Sequence, residues 1–122
     1  MKVLVIGMNP SIKPTLKGKP NATFRKLEGW MDQLNVHHFS FCNTFDDPSE
    51  AKLSKVDFQR LCTLTKDYDK IIALGGFVSG SLNKIDVSHF KLPHPSPRNR
   101  LLNDKAYEKN IIKQCRDYLN DR

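Results

Sequence analysis

Short apolar runs that alternate with segments of helical periodicity constrain this chain more than any other feature. Residues 2–6 (KVLVI), 36–42 (VHHFSFC), 70–75 (KIIALG) and a shorter stretch at 87–92 have the length and side-chain types of strands. Residues 21–34 set Phe24, Leu27, Trp30, Met31 and Leu34 at helical spacing behind Asn21 or Thr23 as a cap, and helical patterns return at 54–66 and 104–119. Strands that alternate with helices need crossover connections, and those give an essentially parallel sheet covered on both faces. The expected fold is therefore α/β, with three α/β/α layers and a four-stranded, mainly parallel sheet. No repeat, low-complexity tract or long linker divides the 122 residues, so a single domain over 1–122 is expected.

In open α/β sheets the ligand lies beyond the carboxyl ends of the strands. Those ends carry Gly7, Met8, Asn9 and Pro10; then Asn43 and Thr44; then Gly75 and Gly76; and last His94, Pro95, Ser96 and Pro97. Three prolines within residues 93–97 fix φ and disfavour helix at the residue before each, so His94 should sit in a stiff extended loop. The Phe24, Trp30 and Met31 group reads as core. His37 and His38 would alternate faces in a strand and so would not share a metal. Cys42, Cys62 and Cys115 are odd in number and form no CxxC pair, which argues against a disulfide framework or a cysteine metal site. No metal and no cofactor is implied.

Twenty Lys and Arg against thirteen Asp and Glu give a net charge of +7, which favours polyanionic partners through phosphate contacts. Lys13, Lys17 and Lys19 follow the first glycine turn, and Arg98 and Arg100 follow the histidine, so both candidate loops bring cations with them. No run approaches the ~20 apolar residues of a membrane span. The amino-terminal apolar run is too short for a signal peptide. A monomer inside the cell, in the cytoplasm or with the nucleoid and with a viral source included, is the expectation.

The pairing of GMNP after the first strand with HPSPRN after the last, and an asparagine after the second, resembles the uracil-DNA glycosylase superfamily. The two motifs are most similar to its single-strand-selective monofunctional branch, of which this chain would be an unusually short member. The segment NATFRKL is similar to the helix after the first motif in the mismatch-specific branch. The resemblance implies a hydrolase that flips uracil or a modified uracil out of single- or double-stranded DNA and cuts its N-glycosidic bond in base excision repair. It assigns catalysis to Asn9 and His94, base recognition to Asn43 with backbone groups near Met8, and DNA contacts to Ser96, Arg98 as a wedge, Arg100 and the three lysines.

The residue types suit that chemistry. Losing uracil leaves an anionic base and an oxocarbenium-like sugar, so the site should stabilise the departing base and aim a water at the sugar carbon. Asn9 can orient that water through its amide. A histidine held by prolines can donate to the developing oxyanion, and one such donor is worth ~3 to 4 kcal/mol. The Asn43 amide presents a donor and an acceptor to a uracil edge, a pattern cytosine does not match. Two departures stand out: Ser11 follows GMNP where the family has glycine, and residues 13–23 offer no aromatic to stack on the base, which leaves Phe24, Phe45 or Phe77 for that task. Two other functions fit the same residues. One is a glycosylase-fold enzyme that modifies or transfers a group to a flipped pyrimidine, a role attributed to some viral relatives of DNA glycosylases. The other is a catalytically silent nucleic-acid-binding module.

Overall fold

The computed structural model describes residues 1–8, 22–45, 50–96 and 99–121. These fall into two compact units, one drawn from residues 1–12 and 38–91 and the other from residues 13–37 and 92–122. Neither unit is a single stretch of chain.

The first unit holds the sheet, with β1 at Val3–Gly7, β2 at Ser40–Asn43, β3 at Lys70–Leu74 and β4 at Phe90–Leu92, which reaches the unit boundary. The strands are parallel in the order β2-β1-β3-β4. Central β1 sets Leu4 opposite Ser40 on one side and Ile71 on the other. Every residue of β1 is buried, as are Ile71, Ile72, Ala73 and Leu74 of β3. Unbroken burial of this kind belongs to parallel strands covered on both faces. On one face Leu4, Ile6, Ile71 and Ala73 pack with Leu61 of the helix Phe58–Thr65, and with Val78 and Leu82 of the helix Gly76–Lys84. In chain order these two helices are α2 and α3, after α1 at Ala22–Gln33 and before α4 at Lys105–Asn120. Val3, Val5, Ile72 and Leu74 turn to the opposite face and are buried too. The α/β class and the parallel four-stranded sheet are those that the alternation predicts.

Three local features differ from expectation. β2 begins at Ser40 rather than at residue 36, and His37 and His38 are both exposed outside the ladder. The cause lies upstream, where Asn35 takes a left-handed φ of 59°. Its N–H donates to the Asp32 carbonyl at 3.0 Å, and that of Val36 to the Met31 carbonyl at 2.9 Å, the paired bonds of a Schellman motif. The chain spends residues 36–39 leaving the helix. Second, the helix expected at 54–66 is split into a single 3-10 turn at Leu53–Lys55 and α2. The Asp57 carboxylate accepts from the Arg60 N–H at 3.0 Å and so caps α2. Third, α3 was not foreseen. It starts after Gly75, whose φ of 91° and ψ of 168° suit glycine almost alone. It ends like α1, with Asp86 at φ 55° and Val87 donating to the Leu82 carbonyl at 3.1 Å.

The second unit contains α1 and α4. Leu27, Trp30 and Met31 of α1 are buried, as the core reading expects, together with Ile112, Cys115 and Leu119 of α4. Trp30 Nε1 donates to Glu108 Oε1 at 2.8 Å, and the same carboxylate pairs with Lys26 and, at 3.8 Å, with Lys105. Burial raises the Glu108 pKa, but hydrogen bonds from Lys26 and Trp30 and the charges of Lys26 and Lys105 outweigh it and hold the group below the ordinary carboxylate value. Arg116 donates to the Gln33 carbonyl at 3.0 Å and satisfies a terminal group of α1. The Asp104 carboxylate caps α4, accepting from Ala106 and Tyr107. Burial pushes the Cys115 thiol up to about 12, as befits an inert structural cysteine.

Candidate base-recognition site

Within the first unit, the carboxyl ends of β1 and β2 are locked together. Gly7 stands opposite Asn43, and the Gly7 carbonyl accepts both from the Thr44 N–H at 2.8 Å and from the Thr44 hydroxyl at 3.0 Å. The Asn43 carbonyl accepts from Arg60 at 3.2 Å. With the backbone held on both sides, the Asn43 side chain has a defined place. It lies over the Gly7 backbone, where an added Cβ would stand 2.9 Å from Asn43 Oδ1 and 3.1 Å from the Phe41 ring. Glycine serves here by allowing this close approach rather than by its dihedral freedom.

Phe41 and Asn43, two apart in β2, share one face of the strand. Phe41 is 39% exposed and Asn43 half-buried. A π surface thus adjoins an amide that offers one donor and one acceptor. Such a pair suits a planar heterocycle that stacks on the ring and presents a complementary edge to the amide.

Of the three aromatics expected to stack, only Phe45 is fully buried, whereas Phe24 and Phe77 are half-buried. Phe45 is buried in the core beside Phe77, with ring centroids 5.6 Å apart, and Phe24 is a half-buried residue of α1 in the other unit. Phe41 escaped the sequence reading because it sits inside an apolar run. Its two-residue spacing from Asn43 was the available signal. Met8 packs against the core, and its carbonyl already accepts from the Phe45 N–H at 2.8 Å.

In the second unit, His94 stands in the irregular loop after β4. Pro93 and Pro95 are buried while His94 is exposed. The Ser96 N–H donates to His94 Nδ1 at 3.1 Å, so Nδ1 is the acceptor and the neutral ring carries its proton on Nε2. Partial burial of the ring lowers its pKa below the usual 6.5 and favours that neutral form. Asn99 closes the loop: its side chain donates to the His94 carbonyl at 2.9 Å and accepts from the Leu101 N–H at 3.1 Å, and its own N–H reaches the Ser96 carbonyl at 3.0 Å. Sequence reading gave Asn99 no role. The bond to His94 engages the Ser96 N–H and leaves the hydroxyl as the group of Ser96 to which the expected DNA contact falls. Arg100 is exposed at the start of the 3-10 turn Arg100–Asn103. Asn9, Lys13, Lys17, Lys19 and Arg98 lie outside the described residues.

A second histidine ties α3 to the approach to β4. His89 Nδ1 faces the Val87 carbonyl at 2.7 Å and must donate, so Nε2 accepts from the Ser79 hydroxyl at 2.7 Å. Among the described residues, no group of three His, Cys, Asp or Glu side chains could hold a metal ion, and no helix is long and apolar enough to cross a membrane.

Fold and site together define a parallel α/β protein with a ring-and-amide platform at the carboxyl edge of its sheet. No protein-family model matches the chain, and no curated protein matches it.

Proposed function

We propose that this protein is a DNA glycosylase acting on uracil or a modified uracil. The observation that supports the reading is the platform made by Gly7, Phe41 and Asn43, where an aromatic ring and an amide with one donor and one acceptor group share one strand face. In the proposed reaction the bond from the sugar C1′ to the base N1 breaks, and its electron pair leaves with the base as a uracil anion. Water oxygen bonds to C1′, and the proton that water loses passes to solvent. Asn43 reads the base edge, and Phe41 supplies the stacking surface. His94, whose neutral ring carries its proton on Nε2 while Nδ1 accepts from Ser96, donates to the base anion. Asn9 orients the water by its amide. Lys13, Lys17, Lys19, Arg98 and Arg100 bind phosphates.

The test uses end-labelled oligonucleotides that carry uracil, hydroxymethyluracil or mispaired thymine, treated with alkali to reveal abasic sites. The wild-type chain should cleave at least one of them, and Asn43→Asp should reduce uracil release at least 10-fold. Absence of base release from all three, with DNA binding intact, would sink the glycosylase reading and leave a base-modifying enzyme or a binding module.

A further inference from the structure

A groove of about 570 Å³ lies along α4 within the second unit, and none of the motif residues lines it. Four of its lining residues are Lys105, Lys109, Lys113 and Arg116, all exposed. At 100° per residue they fall within an arc of about 80°, and at 1.5 Å per residue they extend over about 16 Å of helix. Among the described residues the groove contains one carboxylate, Glu108, and that group is already engaged by Lys26, Lys105 and Trp30. Arg116 is held in place by its bond to the Gln33 carbonyl, and buried Ile112 lies among the cations. Charge of one sign in a concave strip attracts the opposite charge.

We infer that this basic stripe of α4 is a second nucleic-acid contact, which tracks the phosphates of a single strand. A single anion would use one or two of the four cations. A row about 16 Å long matches a ligand whose charges repeat along a line, as those of a nucleic-acid backbone do. The inference does not depend on glycosylase activity, because it requires no base to be flipped or released.

The test is fluorescence anisotropy of the full chain with a labelled 20-nucleotide strand that lacks uracil, over a series of NaCl concentrations. The triple variant Lys105→Gln, Lys109→Gln, Lys113→Gln should reduce the steepness of log K against log salt by about 2, at about 0.7 per lost single-strand contact. Its affinity at low salt should fall at least 10-fold. A control removes the same charge from exposed lysines of the first unit, through Lys52→Gln, Lys55→Gln and Lys66→Gln, and should change the slope by much less. On the unaltered chain, the strand should protect Lys109 and Lys113 from an amine-acetylating reagent. Equal effects of the two triples would reduce the stripe to net charge and overturn the inference. So would a glutamate-rich peptide of equal charge that binds at least as tightly as the strand, since it would make the partner an acidic protein.

Discussion

Gly7 is small because two neighbours need the room. A methyl group there would meet the end of the Asn43 side chain and the tip of the Phe41 ring, both of which can swing aside. Gly7→Ala should therefore cost less than ~1 kcal/mol of stability. It should nevertheless weaken binding of a uracil-containing strand at least 10-fold; a melt and a titration on the same sample separate the two effects, and unchanged binding would remove the platform from the proposed site. His94 offers a test in pH. Its folded pKa lies below 6.5, so the neutral donor survives acidification that would charge an ordinary histidine. Turnover controlled by this group should hold as pH falls through 6.5 and decline only at the lower folded value; the associated stability is present above 6.5 and is lost as pH falls toward that value. His94→Ala should lower turnover by ~100-fold or more and abolish this limb of the profile. Asn43 and His94 stood out in the sequence because each sits in a short motif at a strand end. Phe41 and Asn99 did not, because one acts through a neighbouring strand and the other through loop closure, neither of which local spacing encodes.

At the scale of elements, α1 was legible from its apolar face, whereas α3 was not. Its sequence GFVSGSLNK carries two glycines, which disfavour helix, and a short apolar face. Burial of Val78 and Leu82 in the core overrides that weak propensity. α1 and α4 are joined differently, by a half-buried carboxylate. Glu108→Leu would leave Trp30 Nε1 and Lys26 without their acceptor and should cost ~2 to 3 kcal/mol. In the wild type, the folded pKa of Glu108 is depressed, so its contribution is fully present above the unfolded value of 4.5 and is lost as pH falls through the folded one. Trp30 is the single tryptophan, so its fluorescence reports the change directly. An emission spectrum that stays constant through the acid transition would separate this carboxylate from the stability of the pair.

For the whole molecule, charge was the most readable property and long-range pairing the least. The +7 balance is visible in composition alone. If four of Lys13, Lys17, Lys19, Arg98 and Arg100 meet phosphates of a duplex, log K should fall with log salt at a slope of about −3 to −4. An affinity indifferent to salt would refute the phosphate contacts. Strand order was beyond reach of the sequence, because β1 lies between β2 and β3 and the pairing depends on segments far apart in the chain. Lys2 and Asp69, for example, exchange hydrogen bonds of 2.7 and 2.8 Å across 67 positions. Order also puts β2, only four residues long, at an edge of the sheet. A strand so short can slide, and sliding by one residue would carry Asn43 to the core side and bring Cys42 out in its place. The two donations from Thr44 to the Gly7 carbonyl oppose that slide. The residue proposed to read the base is thus kept in frame by the buried threonine that follows it, and an error of alignment in this strand would surface as an error of spelling in the substrate.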